Sequence, residues 1–271
     1  MDRIINHDSC SEVGPLTPGE ISVDRERSSF IFRKKIRTVS GRKKLGLAWI
    51  VIDPIVTSLI YLFVLTVLKA RSDPESLFIG IATYSVLQNS LKSGSVSIKD
   101  LTGGFKAERI RTRTMVNSTL KYRAVDTLAS TLGIAGILFF VYDVRLFGIV
   151  MFIAISQLIG LIFEGIGLSL SLLVRRIPDV MNILNLFLRL MFFAGPVMYP
   201  MAATTGLHYQ LNLLNPFTYF VETARYFCNL EAVILNIEPV ISIPILVICI
   251  SLAFLGFSRV DRFRWVMTSW S

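Results

Sequence analysis

The sequence predicts an all-α integral membrane protein with six transmembrane helices. Three observations carry this. Of the 271 residues, 53% are hydrophobic and the mean hydropathy is +0.60, too apolar for an ordinary soluble domain. Apolar runs of spanning length fall at about 45–68, 77–98, 124–142, 146–174, 181–199 and 240–257. With six spans both termini share one side. That side then holds 22 of the 28 Lys and Arg residues and the other side 4, a bias that places the termini in the cytoplasm. The formal charge of +9 therefore belongs to cytoplasmic loops and not to a nucleic-acid surface.

Residues 1–27 are polar and read as a disordered arm; 28–271 form the membrane domain. No apolar leader is present at the amino terminus, so no cleaved signal peptide is expected. From Ser28 to Lys44, Phe32, Ile36 and Val39 share one helical face amid seven basic residues. This pattern fits an amphipathic helix lying in the interface or a plain positive-inside anchor. Span one contains Asp53-Pro54, a proline tolerated in a spanning helix when neighbours satisfy the freed carbonyl. Span two is weakly apolar, with Gln88, Asn89 and Lys92, and should face protein or a water-filled path in preference to lipid. A long basic segment, Lys99 to Arg123, separates it from span three. The polar break Arg175 to Asp179 separates spans four and five.

Span five and the interval after it are unusual. The run ends at Gly195-Pro196, where a helix kinks or stops. Tyr199 and Pro200 should then lie near an interface. About forty residues pass before the next span, and they include Asn215-Pro216, a turn and helix-start signal. Phe217, Phe220, Val221, Ala224 and Phe227 come next, at helical spacing. So much apolar surface implies a partly buried or re-entrant hairpin that caps or gates the mouth. Glu222 and Arg225, three apart, can pair on one face. The pair is expected to hold the outer gate helix in place, so that exchanging the two residues restores part of what either loss removes.

No phosphate-binding glycine loop is present, since Gly103-Gly104-Phe105-Lys106 lacks the spacing. Cys10, Cys228 and Cys249 are scattered, and two histidines are too few for a metal site. Asp53, Lys92, Asp126, Glu164 and Arg189 are ionisable groups in or near spans. Lys92 and Asp126 can snorkel to the cytoplasmic ends. Glu164 and Arg189 lie deeper and either pair between spans four and five or line a path. Small residues over 165–171 suit close helix contact. Tyr61, Phe187, Phe192 and Tyr199 offer aromatic faces that suit sugar rings, or ordinary packing.

In order and spacing, these pieces resemble the membrane subunits of type-2 ABC exporters, in the branch that exports polysaccharides and lipid-linked glycans. The likeness runs from about Phe30 to Arg264. It rests on Leu45-Gly46 with Trp49 and Pro54, Arg176 with Asp179-Val180, Pro196 with Tyr199-Pro200, Asn215-Pro216, and Glu222 with Arg225. The resemblance implies a homodimer in the cytoplasmic membrane bound to two ATP-binding subunits. ATP and magnesium would be held there and not in this chain, so the chain itself is not an enzyme. It implies a lipid-linked glycan as cargo, with a drug or lipid exporter as the near alternative and a secondary transporter as the far one. ATPase coupling falls to Lys106, Arg109, Arg111, Arg113, Arg176 and Asp179, and the translocation path to Tyr61, Glu164, Phe187, Arg189, Phe192 and Tyr199. The outer gate falls to Pro196, Asn215, Pro216, Phe217, Glu222 and Arg225. Relatives often carry an aromatic-proline pair in the segment between spans two and three. Here Arg109-Ile110-Arg111-Thr112-Arg113 stands instead.

Overall fold

The computed structural model describes residues 18–41, 48–67, 73–97, 112–228 and 239–262. Among these residues the protein is helical throughout: α1 (Pro18–Gly41), α2 (Ala48–Val67), α3 (Pro74–Val96), α4 (Thr112–Tyr142), α5 (Leu146–Arg176), α6 (Asp179–Ala194), a short 3-10 turn (Met201–Ala203), α7 (Gly206–Leu214), α8 (Pro216–Phe227) and α9 (Pro239–Arg262). Four helices, α2, α4, α5 and α9, are long and apolar enough to cross a membrane by length and composition.

The helix at the centre is not one of those four. α3 packs against α2, α4, α5, α6 and α8, and most of its residues from Ser76 to Ser95 are buried. Its polar content fits that position: a helix shielded from lipid by neighbours on all sides needs no apolar exterior. The most extensive contact is α3 on α5. Gly94 and Gly167 face each other so closely that a Cβ on either would meet the opposing backbone, with Gly94 Cα 2.8 Å from the Cβ position of Gly167. This is small-residue packing, in which losing a side chain lets two backbones approach. Within the 165–171 segment Gly165 does the same toward Ala253 of α9.

Several boundaries differ from expectation. α1 begins at Pro18, ten residues inside the stretch expected as an arm. It packs on the start of α4, where Lys35 Nζ donates to Thr119 Oγ1 at 2.7 Å and Lys121 Nζ to Ser29 Oγ at 3.1 Å. α4 begins at Thr112, so the latter half of the basic 99–123 segment is helix and not loop. α6 ends at Ala194, five residues short of the expected end of span five, because Gly195-Pro196 breaks the ladder there. Its sixteen residues rise only about 24 Å. In α2, Pro54 is accommodated within the helix, and Ser58 Oγ donates to its carbonyl at 2.8 Å.

Replacing Gly167 with Val should force α3 and α5 apart. We expect a loss of roughly 1–3 kcal/mol or more from overpacking a backbone contact. It would appear as a lower thermal unfolding midpoint in detergent, whereas Gly136→Val, at a position with open space around it, should leave the midpoint nearly unchanged.

Candidate functional site

The residues assigned to the gate converge at the end of the bundle where α3 begins. α8 starts at a built cap. The Asn215 side chain accepts from Phe217 N at 3.0 Å, and Pro216 occupies the first helical position, where a missing N–H costs nothing. From that helix Glu222 and Arg225 point inward, and both are 0% exposed.

Every N–H of the Arg225 guanidinium has an acceptor. Nε and Nη2 donate to Ser76 O of α3 at 3.1 and 3.0 Å, and Nη2 also donates to Val197 O at 2.8 Å. Nη1 donates to Pro196 O at 2.5 Å and to Glu222 Oε1 at 2.6 Å. Glu222 Oε1 accepts in addition from Met201 N at 3.2 Å. One side chain thus ties α8 to the first turn of α3 and to the turn after α6, while its carboxylate partner holds the 3-10 turn. Gly80 makes room: a Cβ there would strike Val197 O and Arg225 Nη2.

The turn after α6 is further fastened to α7. Tyr199 Oη lies 2.6 Å from His208 Nε2, with the rings 5.2 Å apart. Tyr219 Oη donates to Leu213 O at 2.5 Å, bracing α7 on α8.

Below this hub runs a chain of aromatic rings. Tyr61 of α2 meets Phe192 of α6 at 5.2 Å, and Phe192 meets Tyr84 of α3 at 5.3 Å. Tyr84 meets Phe217 at 5.9 Å, and Phe217 meets Phe163 and Phe187 at 5.6 and 6.1 Å. Tyr84 Oη donates to Leu188 O at 2.5 Å, fastening α6 to the central helix. Phe217, Phe163 and Tyr84 are buried in this chain, Tyr61 and Phe192 are half-buried, and Phe187 is exposed on α6.

Sequence reasoning missed Ser76, Gly80, Tyr84, Phe163 and Met201. Backbone carbonyls leave no mark in a sequence. A tyrosine in a weakly apolar helix, however, was a usable sign of a buried hydroxyl seeking an acceptor.

Glu164 and Arg189 are not brought together. Glu164 is buried between α5 and α3, where Ser93 Oγ donates to its Oε1 at 3.2 Å. The cations acting on it are Arg123 and Lys35. Arg189 is exposed on α6, near enough to Lys92 to act on its charge. Asp126 pairs with Arg123 at 2.7 Å within α4. Arg113, Arg176 and Asp179 are exposed, the last two flanking the Ile177-Pro178 break between α5 and α6. Lys106, Arg109 and Arg111 lie outside the described residues. Among the described residues no group of His, Cys, Asp and Glu could hold a metal ion.

The described helices form a multi-pass membrane bundle with a fastened hairpin after α6. The chain is a member of the ABC-2 type transporter family, which matches residues 28–228. It is thus a membrane permease subunit of an exporter, a transport protein and not an enzyme. Permeases of this family pair with ATP-binding subunits, which use the ATP. It is similar to the polysialic acid transport protein KpsM of Escherichia coli, 21% identical over 204 residues, covering 72% of this chain and 78% of that one. It is also similar to the O-antigen export system permease protein RfbA of Myxococcus xanthus, 26% identical over 166 residues, covering 58% and 62%.

The five-bond hub predicts that charge alone will not replace Arg225. Arg225→Lys keeps the charge but not the planar fork, and Arg225→Gln leaves Glu222 buried and unpaired. The glutamine change should cost about 3–5 kcal/mol and the lysine change somewhat less. Exchanging Glu222 and Arg225 should not restore the loss, since a carboxylate at 225 cannot donate to Ser76, Pro196 or Val197. Thermal unfolding of the detergent-purified variants reads each of these.

Proposed function

We propose that this protein exports a polysaccharide or lipid-linked glycan across the cytoplasmic membrane, as a homodimer coupled to two ATP-binding subunits. The observation that carries the cargo is that KpsM and RfbA are both named for glycan export, of polysialic acid and O-antigen. In this reading α2, α3, α4, α5, α6 and α9 are the six spans, with both termini in the cytoplasm. α1 lies in the inner interface and α7–α8 forms the outer gate. The membrane domain is 28–271, and the polar arm before it carries the first ten residues of α1.

The exposed apolar faces of α2 and α6, including Ile60, Phe63, Leu186 and Leu190, are left uncovered by the described residues of the protomer. A second copy placed there leaves Tyr61, Phe187, Arg189, Phe192 and Tyr199 along the path between the two chains. Glu164 braces α5 against α3 behind it. Arg113, Arg176 and Asp179, with Lys106, Arg109 and Arg111, form the ATPase-facing surface. There a closing pair of ATPases would push α4 and the α5–α6 break as levers.

Deleting the gene in a host that displays the glycan should trap glycan inside the cell, and the wild-type chain should restore surface display. Normal surface glycan in the deletion strain would overturn the cargo. The purified chain alone should show no ATP hydrolysis above background, with activity appearing on adding the ATP-binding subunit.

The orientation predicts opposite labelling of two single cysteines in a background lacking Cys10, Cys228 and Cys249. In intact cells an impermeant maleimide should modify Thr205→Cys and spare Thr112→Cys. The reverse pattern would invert the topology.

A further inference from the structure

A cavity of about 310 Å³ lies between α2, α3 and α4. Its lining is polar for a place among spanning helices: Asp53 of α2, Ser85 and Asn89 of α3, and Asp126, Thr127 and Ser130 of α4. Ser130 stands twelve residues before the end of α4, a rise of about 18 Å, well inside about 30 Å of hydrocarbon. Asp53 has no ion pair among the described residues, and Asp126 has one, to Arg123. A carboxylate on a spanning helix needs a partner or water beside it. The cavity offers what internal water requires, room and several polar partners.

The polar groups continue past the cavity wall. Thr127 and Val86, which line the cavity, also face Gly160 of α5. A Cβ at Gly160 would come within 3.3 Å of Thr127 Oγ1 and 3.5 Å of Ser90 Oγ. The side chain that Gly160 lacks therefore leaves both hydroxyls facing one gap. Ser90 is buried, and its Oγ has no hydrogen-bond partner among the described residues.

Ser156 and Glu164 stand one turn to either side of Gly160 on the same face of α5, each about 6 Å away along the axis. That is about the distance one water spans between two oxygens. Both residues are buried, and Ser156 Oγ and Glu164 Oε2 have no hydrogen-bond partner among the described residues. Arg123 and Lys35 act on the Glu164 charge, yet its Oε2 stays unbonded. Three buried side chains with unpaired oxygens around one glycine are costly if the gap is dry.

We propose that the cavity between α2, α3 and α4 is filled with water, and that this water continues past Thr127 into the gap at Gly160, where it bonds Ser90, Ser156 and Glu164. The bound ligand is water itself. Glu164 is then solvated inside the bundle and does not depend on a protein cation. None of the residues of the aromatic chain lines the cavity, so the hydrated seam is separate from the path assigned above. Neither the cargo nor the orientation bears on it.

Single cysteines at Ser130, Ser85 and Leu128 test the cavity, in a background lacking Cys10, Cys228 and Cys249. Membranes carrying the transporter with its ATP-binding subunit are treated with a charged, water-soluble methanethiosulfonate. The thiolate is the reactive form, and a thiol ionises in water and not in lipid. Leu128 is 42% exposed on the surface of the chain, and Ser130 and Ser85 are half-buried, so exposure alone would make Leu128→Cys the fastest. A hydrated cavity reverses the order, and Ser130→Cys or Ser85→Cys should react about tenfold faster than Leu128→Cys. If neither reacts faster, the cavity is dry and the proposal is overturned. Ser90→Ala tests the gap, since it removes the hydroxyl and crowds nothing. With water bound there, the thermal unfolding midpoint of the purified transporter should fall by about 2–4 °C. A midpoint that holds or rises would show that an unpaired group had been removed from a dry gap, and would overturn the continuation to Glu164.

Discussion

The Arg225 guanidinium is the constraint on which the hairpin end of the protein depends. Taking such an ion out of water costs several kcal/mol, about as much as half the stability of an ordinary domain. That cost is met only because five donors find acceptors from three separate segments. The consequence is cooperativity. α8, the first turn of α3 and the turn after α6 cannot separate one at a time, since each departure strands a buried charge. A cap built this way moves as one body or does not move. Glu222 is therefore more than a counter-ion, because its carboxylate also fixes Met201.

This hub was half legible. Glu222 and Arg225, at helical spacing inside an apolar segment, announced a pair, and Asn215-Pro216 announced the helix that carries it. What the spacing could not disclose is that four of the five bonds end on backbone carbonyls, at Ser76, Pro196 and Val197. Carbonyls are common to every residue, so their convergence is a property of the fold and not of composition. The same limit explains why the sequence reading expects a charge exchange to restore part of the loss and the structure does not.

Helix existence was legible and azimuth was not. Glu164 and Arg189 sit at depths that permit a pair, but the Ile177-Pro178 break sets how α6 is rotated against α5, and no periodicity reports that angle. The short α6 was hidden for a different reason. Apolar residues continue past Ala194 through Val197 and Met198, so hydropathy extends the span. Val197 is in fact buried by protein, against Gly80 and Arg225. Hydropathy measures avoidance of water and cannot tell lipid from a protein cradle. α3 shows the converse: its polarity marked it as shielded, and it lies at the centre of the bundle.

A helix of about 24 Å does not reach across about 30 Å of hydrocarbon. In the six-span reading, the missing depth beyond α6 is filled by largely irregular backbone at 195–205, whose N–H and C=O groups find only a few backbone partners, around the 3-10 turn. Non-helical backbone at membrane depth persists only where protein satisfies it. Arg225 and Glu222 do that, taking the carbonyls of Pro196 and Val197 and the amide of Met201. In that reading the buried ion pair, the shortened helix and the hairpin are one device. The break at Gly195-Pro196 leaves polar backbone without helical partners, and a buried side chain with many donors, arginine, satisfies it.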